Sequence, residues 1–197
     1  LTPQGRFLHD FFIIEYLGHF LVDIDAQHAA AFIKRLNLYK LRARVEISDI
    51  TAHWAVCAII PENKQVQIAT DLGKGPIFPD PRHEKLGLRA IVAKANDRWA
   101  ELEEISELEY DSLRISLCIP TTGRELITEK SFLLDYGFEE LNGVDFDKGC
   151  YVGQEVIARM KHRKLVKRRL FLIETSAELS ATNQNEIMSG DLIAGEV

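Results

Sequence analysis

The chain has 197 residues, 46% of them hydrophobic, which is enough to bury one normal core with or without a smaller second unit. Its formal net charge of -6 excludes a general electrostatic attraction to nucleic acid or to an anionic membrane. No apolar run is long enough to span a bilayer and the opening LTPQGRFLHD lacks the features of a signal peptide, so we expect a cytoplasmic protein or, in a eukaryote, one of the mitochondrial matrix.

The first half of the chain predicts mostly strands. Residues 6–25 contain two β-rich runs broken at Gly18, and residues 26–41 have the apolar spacing of a helix. Residues 42–50 and 53–60 each predict a strand, the second buried because it is continuously apolar. The turn-rich residues 71–82 predict a loop, and residues 86–92 predict a return to a strand.

The second half predicts two helices and then a change of character. Residues 96–118 have a helical pattern that Pro120 stops, and a further helix is predicted from Cys150 to His162. After Lys164, short apolar runs separated by a polar stretch predict the opening strands of a separate β unit, so we place a boundary near residue 165. Strands and helices in this order favour the α+β class.

The three cysteines are odd in number and widely spaced, which excludes a disulfide framework or a four-thiolate metal site within this chain. Cys57 and Cys118 lie in apolar runs and are interpreted as small buried side chains. Cys150 is different, because it lies in DKGCYVGQE between glycines and close to Lys148. In the first turn of the predicted helix, the helix dipole and Lys148 would lower the pKa of the Cys150 thiol, so we interpret it as a reactive group.

The predicted helix also arranges the residues after Cys150. Cys150 and Gln154 would share one face, while Glu155, Arg159 and Arg163 would form a ladder of charges on another. Seven cations lie between residues 159 and 169 of this acidic chain. Such a segment can contact RNA phosphates, but cations at the end of a helix are favourable in water anyway, and we prefer this second interpretation.

Residues 148–163, KGCYVGQEVIARMKHR, resemble the signature K-G-C-Y-x-G-Q-E of the YgfZ family of tetrahydrofolate-binding proteins. That family is related to the T-protein, the aminomethyltransferase of the glycine cleavage system. The segments GRFLHDFFI, FLVDID, DPR followed by LGLR, and YDSLRISLCIP resemble further parts of the family, in the family's order. One departure is Lys164, at a position where the family has glycine.

The resemblance implies an aminomethyltransferase-like folate-binding domain over residues 1–164, with its N-terminal part preceding Leu1, and the start of a small C-terminal β-barrel over residues 165–197. The implied cofactor is tetrahydrofolate or a one-carbon derivative, bound in a mostly apolar pocket. The implied cofactor contacts are Asp10, Tyr151, Gln154, Glu155 and Arg159. Cys150, helped by Lys148, would be the reactive thiol.

The implied function is assembly or repair of iron–sulfur clusters, with client enzymes or assembly factors as partners and no membrane. One thiolate cannot hold a cluster by four-ligand coordination, so no stable metal site is expected, and Cys150 would be a redox thiol or a transient ligand. The basic segment could instead hold the glutamate tail of a folate.

Two other functions remain open. The T-protein has paired acids where this chain reads GRFLHD, in which Arg6 and His9 replace a glycine and an aspartate and Asp10 alone survives. An aminomethyltransferase is therefore the second hypothesis, and whether the protein is an enzyme is undecided. An RNA-contacting module through residues 159–169 is the third.

Overall fold

The computed structural model describes residues 1–60, 75–95, 103–174 and 186–196. Within these ranges the chain forms three α-helices and three antiparallel sheets, which agrees with a mixed α+β class. The helices are α1 (Ala26–Tyr39), α2 (Glu107–Ser116) and α3 (Gln154–His162). The strands are β1 (Phe11–Tyr16), β2 (His19–Ile24), β3 (Trp54–Ile59), β4 (Ile77–Pro79), β5 (Leu88–Ala93), β6 (Glu186–Ser189) and β7 (Leu192–Glu196).

The first hairpin confirms the two runs broken at Gly18. β1 and β2 pair antiparallel through the two-residue turn Leu17–Gly18, where both residues have positive φ, 50° and 77°. Positive φ at both central positions matches the twist of a hairpin. α1 follows directly, because the Asp25 side chain accepts a hydrogen bond from the Gln27 N–H and caps the helix.

The central sheet has the strand order β3-β5-β4, and it corrects two predictions. The predicted loop at residues 71–82 contains β4, whose backbone pairs with Leu88–Ala90, although residues 71–74 lie outside the described ranges. The strand predicted at residues 42–50 is wrong, because this segment is irregular and pairs with no strand. Val45 is 54% exposed, so its alternating pattern has no buried face to occupy.

α2 begins later than predicted. It starts at Glu107 behind a capping box, in which the Ser106 side chain accepts from the Glu109 N–H and the Glu109 carboxylate accepts from the Ser106 N–H. The predicted residues 103–106 are therefore not helical, and residues 96–102 lie outside the described part of the chain.

The described part of the C-terminal region contains one hairpin. β6 and β7 pair antiparallel, and residues 165–174 have no helix or strand. Within the described residues no closed barrel forms, and residues 175–185 lie outside them. The predicted boundary near residue 165 stays a prediction.

Candidate functional site

The signature segment forms an exposed loop that leads into α3. The helix begins at Gln154, with Gly153 as its N-cap residue, and not at Cys150 as the sequence predicted. Cys150 therefore lies outside the first turn, does not share a helical face with Gln154, and is exposed to solvent. Val152, Val156 and Met160 recur every four residues, but this spacing does not mark the start of the helix, because Val152 belongs to the loop and is 49% exposed.

Gly153 explains where the helix starts. Its φ of 86° is left-handed, and a Cβ there would lie 2.6 Å from the Thr2 carbonyl oxygen and 3.1 Å from the Gly5 Cα. Gly5 is equally close packed, since its Cβ would lie 2.9 Å from the Cβ of Val156. The two glycines let the N-terminal turn of the chain pack directly on the start of α3, which holds the end of the signature loop in place.

The inner side of α3 anchors the other end of the loop. Ile157 and Met160 are buried against Leu134 of a short 3-10 helix, Leu133–Tyr136, and Phe146 packs on the same cluster. The Lys161 ammonium group lies 3.9 Å from the centre of the Phe146 ring and also pairs with Glu139. The loop between Phe146 and Gly153 is thus fixed at both ends while Cys150 remains accessible.

The other predicted residues of the signature lie close to one another. The Lys148 ammonium group is 4.8 Å from the centre of the Tyr151 ring, which is a cation–π contact. Burial and the nearby Asp145 raise the pKa of the Tyr151 hydroxyl, which has no hydrogen-bond partner among the described residues. Glu155 and Arg159 form an exposed ion pair of 2.7 Å, so this part of the predicted ladder is present.

Asp10 directly precedes β1. Its carboxyl group is half-buried, and burial, together with the like charge of Asp23, raises its pKa against the opposing effect of Arg82 and Arg89. Asp10 and Phe12 are two positions apart and so project from the same face of the strand. The guanidinium groups of Arg82 and Arg89 lie over that face, 5.3 Å and 4.6 Å from the centre of the Phe12 ring.

Both arginines are held by carboxylates. Arg82 donates to Asp80 through Nε (2.9 Å) and Nη2 (2.6 Å), and Arg89 donates through Nε to Asp23 (3.0 Å). Although burial opposes it, the hydrogen bonds and charge of Arg82 hold the pKa of Asp80 below its usual value. In the sequence, the segments DPR and LGLR are points of family resemblance and predict no role for these residues. The sequence signal for them is the occurrence of Asp80 and Arg82 directly after β4 and of Arg89 within the otherwise apolar β5.

A buried arginine on α2 was also missed. Arg114 is 2% exposed and donates to Asp111 (2.7 Å), Glu125 (3.1 Å) and the Ile119 carbonyl oxygen (3.0 Å). Its Nη2 has no partner among the described residues. These bonds fix the chain between the end of α2 and Glu125.

His9 stands at the first of the two acid positions in the T-protein pattern, and it packs against other rings. Its ring packs edge-on against Phe32 at 5.3 Å and lies 6.1 Å from the ring of His28. Burial, with the charges of His28 and Arg35, lowers the pKa of His9, so a neutral imidazole is favoured there.

Asp10 and the signature residues are not in direct polar contact within the described residues. No hydrogen bond or ion pair there joins Asp10 to a residue of the signature. A surface depression of about 440 Å³ lies on α1, lined by Ala31, Lys34, Arg35 and Leu38, which include none of the predicted cofactor contacts. In the part of the chain that the structure describes, no three His, Cys, Asp or Glu side chains group to hold a metal ion, and no helix has the length and apolar character to cross a membrane.

The basic segment is partly neutralised by neighbouring acids. Arg159, Lys161 and Arg169 pair with Glu155, Glu139 and Glu140. Intramolecular ion pairs therefore occupy three of the seven cations of this segment.

The geometry describes a mixed α and antiparallel-β protein that presents one thiol on a fixed, exposed loop and keeps a separate half-buried carboxyl group. The chain is 32% identical over 173 residues to the mitochondrial iron–sulfur cluster assembly factor IBA57 homolog of Dictyostelium discoideum. The aligned region covers 82% of this chain and 42% of that protein. It is 28% identical to the IBA57 proteins of Mus musculus (92% of this chain, 54% of that one) and Homo sapiens (87% and 51%). The chain thus spans about half the length of the curated relatives it matches. No protein-family model matches it.

Proposed function

We propose that this chain belongs to the YgfZ family, has its aminomethyltransferase-like folate-binding fold, and acts in the assembly or repair of iron–sulfur clusters in client enzymes. The observation that carries the proposal is that 82% to 92% of the chain aligns with proteins named iron–sulfur cluster assembly factors. Those relatives are named mitochondrial, so the mitochondrial matrix is the proposed location if the source is a eukaryote.

The exposed loop gives Cys150 its role in this proposal. A cluster needs several ligands, and a single thiolate can supply one of them only while a partner or a small thiol supplies the rest. Exposure on a loop whose two ends are packed suits such a transient ligand, because a partner can reach the thiol directly. The Lys148 side chain lies beside Tyr151 on the same loop.

Asp10 is the residue proposed to contact reduced folate. Among the described residues its carboxyl group forms no ion pair, and it is partly shielded from water, so it can accept a hydrogen bond from an N–H group of the pterin. Tetrahydrofolate would supply one-carbon or electron chemistry when bound, while Asp10 would orient it. Tyr151, Gln154, Glu155 and Arg159 remain predicted contacts, and Glu155 and Arg159 would have to exchange their mutual ion pair for the ligand.

Complementation tests the function. Cells that lack the native protein should recover the activity of iron–sulfur enzymes with the full-length wild type but not with Cys150→Ala. The matched control is Cys118→Ala, which removes a half-buried thiol outside the signature and should complement like the wild type. Equal rescue by Cys150→Ala and wild type would reject the role of this thiol.

A calorimetric titration with several tetrahydrofolates tests the cofactor. Binding by the wild type and its loss in Asp10→Ala are the expected results, and absence of heat at millimolar folate would remove the cofactor from the proposal. Robust formation of methylenetetrahydrofolate with the other glycine-cleavage components would favour the aminomethyltransferase instead. Steeply salt-dependent RNA binding would favour the RNA module.

A further inference from the structure

Asp10 faces a set of four charged side chains that hold one another. We call this set the arginine array; it consists of Asp23, Asp80, Arg82 and Arg89. Asp23 lies directly opposite Phe12 in the pairing of β1 with β2, so it projects from the face that Asp10 occupies. The two arginines cover the same face, with both guanidinium groups over the Phe12 ring.

Each arginine of the array forms an ion pair with an aspartate of the array. Arg82 donates two hydrogen bonds to Asp80. Arg89 donates to Asp23, and its Nη1 lies 3.5 Å from the Asp80 Oδ2 that Arg82 also binds. With Asp10 the face holds three carboxyl groups and two guanidinium groups. Of these three carboxyl groups, Asp10 is the one for which the described residues show no ion pair with a guanidinium group.

The array is also held in place from several elements. Asp80 is 1% exposed in its side chain and follows β4, while Asp23 and Arg89 belong to β2 and β5. Arg82 is bonded in addition to the Tyr110 hydroxyl of α2 at 3.1 Å. Shielded bidentate pairs of this kind are strong, so the arginines do not swing freely toward Asp10.

We propose that the arginine array is a positioning device that withholds its guanidinium groups from Asp10 and thereby makes reduced-folate binding depend on the protonation of Asp10. The inference rests on the proposed function, in which Asp10 contacts folate. Apart from the Phe11 backbone N–H, no group is shown to bond the Asp10 carboxylate, so it keeps acceptor positions for a ligand N–H group, whereas the protonated carboxyl group is a weaker acceptor. Tyr110 and the four array residues are the titratable or charged groups that face this region from β2, β4, β5, α2 and their loops.

The direction of the pH dependence follows from the surroundings of Asp10. Burial first, and then the charge of Asp23, raises its pKa, with Arg82 and Arg89 opposing. The carboxylate fraction, and with it the affinity for folate, falls as the pH drops through this raised pKa. Below that point the Kd should rise about tenfold per pH unit, as expected when one proton competes with the ligand.

The experiment measures the Kd of one tetrahydrofolate across pH for the wild type and three variants of the full-length protein. Asp23→Asn removes a like charge and frees Arg89 to pair with Asp10, so the midpoint of the pH profile should move to lower pH. Arg89→Gln removes an opposing cation, so the midpoint should move to higher pH. Glu15→Gln, on the opposite face of β1, is the control and should leave the midpoint unchanged.

The outcomes separate this inference from the proposed function. Absence of binding by the wild type removes the folate proposal itself, whereas binding with the same midpoint in all four proteins overturns only the role of the array. A purely structural role would change the affinity or the thermal stability without opposite shifts of the midpoint.

If a variant fails to fold, the wild type alone still decides. The Asp10 carboxyl group is then titrated by carbon NMR with and without tetrahydrofolate. A ligand that prefers the carboxylate must lower the titration midpoint, so an unchanged midpoint overturns the inference.

Discussion

At the residue scale, Lys164 is a strained position that the chain tolerates. It follows α3 with a φ of 51°, and the Leu165 N–H donates to the Met160 carbonyl oxygen (2.9 Å) while the Lys164 N–H donates to that of Lys161 (3.1 Å). This pair of bonds is the Schellman ending of a helix, which favours glycine at the left-handed residue. The departure of Lys164 from the family's glycine therefore leaves the turn itself intact.

Lys164→Gly should stabilise the protein by about 1 kcal/mol, because a side chain in the left-handed region costs roughly that amount. Urea unfolding measures the change. The control is Arg163→Gly, one position earlier, where φ is -91° and glycine should destabilise the helix end. A loss of stability in Lys164→Gly would show that the lysine side chain makes a contribution larger than the strain.

The three thiols should react at different rates. Cys150 is exposed, whereas Cys57 and Cys118 are half-buried, and burial, with the charge of Glu104, raises the pKa of Cys57. Because alkylation needs an accessible thiolate, Cys150 should be labelled first across the pH range. Peptide mapping after brief alkylation identifies the order, and labelling of all three at one rate would contradict it.

At the element scale, the start of α3 depends on a close approach between backbones. A side chain at residue 153 would meet the Thr2 carbonyl oxygen at 2.6 Å and would also require φ of 86°. The glycine of the signature thus has a structural task, which is to join the N-terminal turn to the helix that follows the cysteine loop.

Gly153→Ala should lower the free energy of unfolding by about 2 kcal/mol or more, since it combines backbone strain with a clash against backbone. Chemical unfolding measures the loss. Gly149→Ala in the same loop is the control, because a Cβ there meets nothing within 4 Å. Equal effects of the two substitutions would show that the packing of residues 1–6 on α3 contributes nothing to stability.

At the scale of the whole molecule, the two aspartates of the charged face should affect the pH dependence of stability in opposite directions. The pKa of Asp10 is raised in the folded state, so its contribution is present below the unfolded pKa of about 3.9 and is lost as the pH rises through the folded pKa. The pKa of Asp80 is lowered by its partners in spite of burial, so its contribution is present above about 3.9 and is lost as the pH falls through the folded pKa.

Asp10→Asn should therefore stabilise the protein at neutral pH, and the gain should disappear in acid. Asp80→Asn should destabilise it at neutral pH by about 3 kcal/mol, the usual cost of breaking a buried ion pair. Thermal unfolding from pH 3 to pH 8 distinguishes the two. A stability loss in Asp10→Asn at pH 7 would mean that Asp10 has a cationic partner in the native protein.

Much of the fold could be predicted because local patterns agree with tertiary packing there. The turn at Gly18 and the periodicity of residues 26–41 identified β1, β2 and α1, and the apolar run at residues 53–60 identified β3. Residues 42–50 show the limit of such patterns. Alternation predicts a strand only when another strand is available to pair with it, and Val45 has neither a partner strand nor a buried face.

The sequence by itself determined that Cys150 is the distinctive thiol, because its glycine-rich context differs from the apolar runs around Cys57 and Cys118. Only the tertiary structure decided where α3 begins, since that depends on the contact of Gly153 with Thr2 and Gly5, about 150 positions away along the chain. The grouping of Asp10 with Arg82 and Arg89 is likewise decided only by the tertiary structure. Side-chain contacts between the β1–β2 hairpin and the separate β3-β5-β4 sheet bring them together, and no local pattern records which distant charges will share one face.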